Sequence, residues 1–167
     1  MIALIPRSLT AGDFTPFGDV LSFDEKQSRL ANKGDALRSD LRARLAFSAG
    51  EPRLALYRVG AQRWPVLVAD MECHPNASQA FLPVTAGRYL VVAAPALADG
   101  FPDDLRCQAF VGERSQGFNY RPGVWHAPIV ALEESGNFLM LIWEQGGAAD
   151  CRTARLIDPI QINARFD

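Results

Sequence analysis

Hydrophobic and polar positions alternate in short runs along most of the chain, with the period of a β-strand rather than that of a helix. From Glu51 onward these runs are rich in β-branched and aromatic residues, and Gly, Pro or Asn separates them at roughly even spacing. The predicted strand regions are residues 53–60, 64–75, 79–84, 88–95, 105–112, 115–123, 124–132, 138–144 and 151–157. Because no long helical segment separates them, the pattern predicts an all-β fold, an antiparallel sandwich or small barrel.

One short helix is expected near the N-terminus, within residues 8–23. Ser8 or Thr10 can cap its start, and Pro16 stops it. The prediction is therefore a small barrel with a minor helical element.

Residues 24–50 are the most polar part of the chain. We expect loops there around a short amphipathic piece at residues 36–47, and the mixed charges of residues 38–45 indicate the solvated face of a helix. Further along, residues 85–87 (Thr-Ala-Gly) separate two strand regions and predict a hairpin-like break.

The overall composition narrows the classes of protein to consider. The chain has 167 residues, about half of them apolar, and a formal net charge of −2. This predicts one globular domain, residues 1–167, with no electrostatic attraction to nucleic acid or to acidic lipid. No apolar run approaches the roughly 20 residues that span a bilayer, and the first ten residues lack the charged region of a secretory signal. We therefore expect a cytoplasmic protein without a membrane segment.

The candidate chemistry depends on histidines, because the chain contains only two, His74 and His126. The three cysteines are widely spaced and odd in number, which is typical of buried thiols rather than of a disulfide or zinc framework. Glu72 lies two positions before His74, so both side chains face the same side of a strand. A carboxylate seldom faces a barrel interior without a partner or a function, and a Glu–His pair can supply a base near neutral pH.

The spacing around these residues resembles two sequence motifs of the cupin barrels. The first is Glu72-x-His74-x4-Gln79 followed by a glycine, and the second is Gly123-x2-His126. In a cupin, the four polar side chains of these motifs converge inside the barrel. If a divalent metal binds, its ligands are expected to be Glu72, His74, Gln79 and His126, a set of two imidazoles, one carboxylate and one amide. A buried, hydrogen-bonded core histidine is the alternative for His126.

The stretch "GFNYRPGVWHAPIVAL" (residues 117–132) carries the second motif. Asn119 and Tyr120 are expected to end one strand, and the next three residues turn the chain. Trp125 and His126 then begin the following strand, with His126 facing inward.

Several stretches resemble the ureidoglycolate lyase family, also called ureidoglycolate hydrolase: "MECHPNASQAFLPV", "GFNYRPGVWHAPIVAL" and, more loosely, "ANKGDALR" and "TPFGDV". The resemblance extends over about residues 8–158 and is densest at 119–128, where the family pattern reads Asn-Tyr-x-x-x-Val-Trp-His-His-Pro. It implies a cupin-like β-barrel and a homodimer. It also implies cleavage of ureidoglycolate to glyoxylate and urea in purine and allantoin breakdown.

The chain departs from this family pattern at two places. Ala127 stands where the family has its second histidine, and "IWEQGG" replaces an Asp-Arg segment. Asp150 and Cys151 are similar to the family's Asn-Cys pair. The substitution at Ala127 leaves strict substrate identity open.

The implied reaction needs a base, an acid and an anchor for the substrate carboxylate, but no redox step and no obligatory metal. His126 or His74 is the expected base, with Glu72 orienting the imidazole. The expected substrate-binding residues are Arg58, Asn119, Tyr120, Gln79 and Trp125. Arg58 would hold the carboxylate, and Trp125 would pack in the core or form a wall of the pocket.

Two other classes of function stay open on the sequence. One is a metal-dependent cupin enzyme, such as an isomerase or oxygenase, acting on another small hydroxy acid. The other is a non-catalytic barrel that binds a small metabolite, which the substitution at Ala127 keeps open.

Overall fold

The computed structural model describes residues 2–164 of the chain, and β-strands dominate it. This confirms the predicted all-β class. The sixteen strands are β1 (Ile2–Leu4), β2 (Arg7–Ser8), β3 (Gly18–Ser22), β4 (Arg29–Ala31), β5 (Ala36–Arg38), β6 (Glu51–Val59), β7 (Ala61–Gln62), β8 (Val66–Cys73), β9 (Gln79–Pro83), β10 (Tyr89–Ala94), β11 (Gln108–Gly112), β12 (Gln116–Tyr120), β13 (Trp125–His126), β14 (Val130–Leu132), β15 (Gly136–Glu144) and β16 (Arg152–Ile162).

The strands form two main sheets. The larger has the order β1-β16-β8-β13-β10-β11-β2, with β14 bonded to β10 and β7 bonded to β14. The smaller has the order β3-β12-β9-β15-β6, and β4 and β5 form a separate hairpin. Most neighbours are antiparallel, as the sequence predicts.

The larger sheet has a hydrophobic core on each of its faces, and the alternation along β10 shows this directly. Val91 and Ala93 pack against the smaller sheet, in a core rich in phenylalanine. Leu90 and Val92 point the other way, into a second core. Strand β10 is therefore buried on both faces and consists of apolar residues throughout, as expected for a strand with no solvated side.

The predicted N-terminal helix is present and very short. It is α1 (Ala11–Phe14), and Thr10 caps it by accepting a hydrogen bond from the Asp13 amide at 3.1 Å. Its buried Phe14 packs edge-on against Phe110 at 5.5 Å, which fastens the helix over the core between the sheets. Within residues 2–164, no helix has the length and apolar character required to cross a membrane.

The predicted amphipathic helical piece at residues 36–47 is wrong. The chain there forms β5 and then continues without helix to Ala46. Tertiary contacts override the local pattern, because Asp19 accepts hydrogen bonds from both the backbone and the guanidinium of Arg44. The Ser78 hydroxyl accepts a hydrogen bond from the Ala46 amide, and the Ser78 amide donates one to the Ala46 carbonyl. These bonds hold the segment extended along the smaller sheet.

The predicted hairpin at residues 85–87 is also wrong. Strand β9, before this break, lies in the smaller sheet, and β10, after it, lies in the larger one. The chain crosses between sheets at Ala86, which is fully buried. A Cβ atom at Gly136 would lie 2.4 Å from the Ala86 Cα, so only glycine allows this close crossing.

Two rows of side chains face each other near one end of the space between the sheets. In the larger sheet, strand pairing aligns Ala93, His126, Glu72 and Thr153. In the smaller sheet, it aligns Tyr120, Gln79, Ile142 and Arg53. Residues paired in this way share a face, so these rows form two opposing walls made mostly of polar and aromatic groups.

Candidate active site

Glu72, His74 and His126 come together at the end of the core between the sheets. Each offers one ligand atom, and these atoms all lie within 4.8 Å of one another. His126 Nε2 is 3.4 Å from Glu72 Oε1, and the two imidazole rings have centroids 5.5 Å apart. The sequence expectation that one carboxylate and two imidazoles share a site agrees with this arrangement.

Backbone carbonyls fix the orientation of both imidazoles. His74 Nδ1 lies 2.9 Å from the Asp150 carbonyl oxygen, and His126 Nδ1 lies 3.0 Å from that of Val124. A carbonyl can only accept, so each Nδ1 carries a proton, and in the neutral form of either ring the lone pair is on Nε2. Both Nε2 atoms are buried without a hydrogen-bond partner among the described residues. Glu72 contacts His126 at Nε2, across the ring from the Nδ1 that the Val124 carbonyl holds, and its role in orienting the imidazole stays a prediction.

The local electrostatics support a neutral base beside a charged carboxylate. The contact with His126 lowers the pKa of Glu72, although burial of the carboxyl opposes this shift. Burial lowers the pKa of His74, because a desolvated imidazolium is costly. At neutral pH, Glu72 is therefore ionised and His74 is neutral.

Tyr120 and Gln79 face the same space from the smaller sheet. The Tyr120 ring stacks on His126 with centroids 4.1 Å apart and an interplanar angle of 15°. Gln79 is buried, and its Oε1 has no hydrogen-bond partner among the described residues. A buried amide oxygen without a partner costs free energy, so its unused capacity indicates a place for a ligand or water.

Asn119 and Trp125 do not face this site. The Asn119 amide donates to Asp19 Oδ2 at 3.3 Å, on the opposite face of β12 from Tyr120. Trp125 packs in the second core and donates its indole N–H to the Gly100 carbonyl at 3.1 Å. Both side chains therefore lie on the faces of β12 and β13 that point away from the site.

Arg58 likewise points away from the Glu–His group. On β6, Ala55 and Val59 pack against the core between the sheets, so Arg58 lies on the outer face. Arg53 shares the inner face of β6 with Ala55 and Val59, and strand pairing aligns it through Ile142 with Gln79. It has no ion-pair partner among the described residues.

Sequence reasoning missed Arg53 and Tyr57, and it assigned no role to Asp150. Tyr57 shares the inner face of β6, and burial together with the charges of Glu72 and Glu144 raises its pKa. The β6 alternation puts Arg53 and Tyr57 on one face, but the sequence alone does not show that this is the inner face. The likeness of Asp150 to the family's asparagine was the one sequence signal for that residue.

The substitution at Ala127 does not remove a side chain from this group. Ala127 is buried in the second core together with Trp125, whereas His126 faces the other way. A histidine at this position would start from the second core, on the side of the sheet away from Glu72.

The two-sheet barrel, with two buried imidazoles and a carboxylate at its end, defines a cupin-like protein with a small polar site. Its fold is similar to that of a dTDP sugar isomerase from Desulfovibrio desulfuricans G20, with a TM-score of 0.50 and 16% sequence identity over 82% of this chain and 83% of that one. The family model described as ureidoglycolate lyase matches residues 1–163, and the chain belongs to the ureidoglycolate lyase family.

Named relatives agree with this membership. A ureidoglycolate lyase of Burkholderia mallei (strain NCTC 10229) is 38% identical over 149 residues, which cover 88% of this chain and 85% of that protein. One of Pseudomonas fluorescens (strain Pf0-1) is 36% identical over 143 residues, with 84% of each chain covered.

The shift at His74 can be measured directly by NMR titration, because the chain has only two histidines. We expect a midpoint below the ordinary value of about 6.5, since burial disfavours the imidazolium. In the unfolded chain, the same imidazole takes its proton near 6.5, so this residue makes the fold less stable as the pH falls through that value. A His74 midpoint at or above 6.5 would contradict the assignment.

Proposed function

We propose that this protein is a ureidoglycolate lyase that cleaves ureidoglycolate to glyoxylate and urea by acid–base chemistry. The observation that carries the proposal is the pair of buried Nε2 atoms beside the Glu72 carboxylate, in a chain of this family. Buried imidazole nitrogens without partners are costly in a merely structural role.

The residues suit the bonds that change. An Nε2 lone pair of His126 or His74 takes the proton of the substrate hydroxyl. The oxygen electrons then form the carbonyl of glyoxylate, the carbon–nitrogen bond breaks, and the departing urea nitrogen takes the proton back. No net proton, electron or water is consumed, so one imidazole can serve as base and then as acid.

Glu72 favours the state between the two proton transfers, in which the imidazole holds the substrate proton. Its carboxylate lies 3.4 Å from His126 Nε2 and stabilises the imidazolium that forms when the base takes the proton. Tyr120, stacked on the same ring, holds the imidazole plane in place. Gln79 offers an unpaired amide oxygen to a donor of the ureido group.

The substrate carboxylate needs a cation, and Arg53 is the better-placed candidate. It projects from the inner face of β6, in the row that contains Gln79, and no carboxylate of the described residues pairs with it. A guanidinium binds a carboxylate through two parallel hydrogen bonds, which would fix the substrate's orientation.

A metal-dependent enzyme is the second candidate, and the same lone pairs favour it. Histidines that bind a metal commonly donate Nδ1–H to a backbone carbonyl, as both do here. Glu72, His74 and His126 would hold a divalent ion, with Gln79 nearby as a fourth oxygen donor. A bound ion would supply Lewis-acid polarisation of a substrate oxygen.

The homodimer is part of the proposal, and an apolar outer face of the smaller sheet supports it. Leu54 and Leu56 on the edge strand β6 are 68% and 64% exposed. Phe47, stacked on Trp143 at 4.7 Å, extends this apolar face. A second copy would cover both the leucines and the free edge of β6. A cytoplasmic location stays a prediction from the sequence.

The test is release of urea and glyoxylate from racemic ureidoglycolate by the wild type and by His126→Gln. We expect equimolar products from the wild type and a fall in kcat of at least about 100-fold in the variant, because the base is lost. The thermal midpoint of the variant should stay within about 5 °C of the wild type, since glutamine keeps most of the side-chain volume.

Parallel samples treated with a chelator separate the two candidates. Full activity after chelation supports acid–base chemistry by the protein alone, and loss restored by a divalent ion supports the metal-dependent enzyme. Product release at the spontaneous rate, with or without added metal, would refute the lyase and favour a metabolite-binding barrel.

Arg53→Gln and Arg58→Gln form a matched pair on opposite faces of one strand. We expect Arg53→Gln to raise KM roughly 10- to 100-fold, because a charge-assisted pair with the substrate is lost. Arg58→Gln should leave the kinetics unchanged. Steady-state assays measure both KM values. A higher KM for Arg58→Gln with an unchanged KM for Arg53→Gln would contradict the proposed role of Arg53.

Leu56→Glu should convert the dimer to a monomer, because it places a charge in the apolar face. Leu67→Glu, at a leucine 58% exposed on the other sheet, is the matched control and should leave the mass unchanged. Light scattering after size-exclusion chromatography measures both. A wild-type monomer at micromolar concentration would refute the dimer.

A further inference from the structure

The loop between β15 and β16 is closed on itself by one carboxylate. Asp150 accepts hydrogen bonds from the backbone N–H groups of Gln145 at 3.0 Å, Gly146 at 2.7 Å and Gly147 at 3.1 Å. The loop also needs a left-handed residue, which Gly146 supplies at φ +83°. The Asp150 side chain therefore fixes the position of its own backbone.

That backbone contacts the site. The Asp150 carbonyl accepts the Nδ1 proton of His74, with an Nδ1–oxygen distance of 2.9 Å. Asn76 adds a second link between the same segments, because its amide donates to the Ala149 carbonyl at 3.1 Å. The main chain of His74 is held from another side, since its carbonyl accepts the Gly123 amide at 2.9 Å.

This arrangement determines which nitrogen of His74 is available for chemistry. With Nδ1–H bound to the Asp150 carbonyl, the lone pair is on Nε2, which is buried and has no partner among the described residues. If the carbonyl moved away, the imidazole could carry its proton on either nitrogen, and the ring would be free to rotate. Neutral imidazole in water populates both tautomers, so an external acceptor is needed to select one.

We propose that Asp150 is a positioning residue for His74: its carboxylate clamps residues 145–150 so that its own carbonyl selects the Nδ1–H tautomer and presents Nε2 to the site. Asp150 acts through the loop and through His74, and touches no reacting atom. The effect on turnover rests on the proposed lyase function, but the effect on the tautomer does not.

The experiment measures the tautomer by imidazole ¹⁵N NMR on the full chain, labelled at histidine, as purified and after chelator treatment. Only two rings contribute, and a His126→Gln sample assigns them. In the wild type we expect His74 to carry its proton on Nδ1 in both samples, because a metal would occupy only Nε2. A proton on Nε2 of His74 in the chelated wild type would overturn the proposal without any variant.

Three variants test the role of the clamp. Asp150→Ala should give averaged nitrogen shifts for His74 and lower kcat roughly tenfold or more with KM unchanged, the usual effect of losing an outer partner of a site histidine. Asp150→Asn keeps an acceptor oxygen and should restore both readouts. Asp24→Ala is the matched control, because Asp24 also accepts a loop amide, from Lys26 at 2.9 Å, while its hydrogen bonds among residues 2–164 all stay within residues 24–39.

Asn76→Ala covers the case in which Asp150→Ala does not fold, because it removes only the Ala149 link and should shift the tautomer balance in the same direction. An unchanged His74 tautomer in a folded Asp150→Ala protein would overturn the proposal. A wild type with the expected tautomer but no lyase activity would refute the proposed function and leave the positioning role standing.

Discussion

The site depends on a strand of only two residues. Strand β13 is bonded to β8 on one side and to β10 on the other, and this double pairing sets the direction of each of its side chains. Trp125 enters the second core, and His126 enters the space between the sheets. The pairing also puts His126 directly beside Glu72, so the acid–base pair follows from the backbone ladder rather than from side-chain contacts alone.

Much of the fold could be predicted because strand periodicity is a local property. The strand regions, the capped N-terminal helix and the all-β class all followed from short-range pattern and turn chemistry. The two errors arose where long-range contacts decide the structure. Residues 36–47 carry an amphipathic pattern, but Asp19 and Ser78 hold the chain extended. Thr85 to Gly87 have turn composition, yet nothing local says whether the next strand joins the same sheet.

The site was predictable in part for the same reason. Glu72, His74 and His126 could be grouped because their spacing and resemblance pointed to one barrel interior. Arg58 was the less well placed choice because strand β6 offers apolar residues at both phases: Leu54 and Leu56 on one face, Ala55 and Val59 on the other. Alternation then fixes which residues share a face but not which face is buried. The Asp150 loop was outside the reach of pattern analysis, because it acts through main-chain atoms.

The pairing of β1 with β16 has a consequence for how the protein folds. Ile2 lies opposite Ile160, and Arg7 on β2 lies opposite Phe110, so the partners of β1 and β2 lie more than 100 residues further along the chain. Such non-local pairing requires the chain to lose loop-closure entropy before the stabilising contacts form. β-rich chains of this kind therefore fold slowly. Until β11 and β16 are in place, the backbone groups of β1 and β2 therefore lack their pairing partners, and the exposed strand edges can pair with other chains.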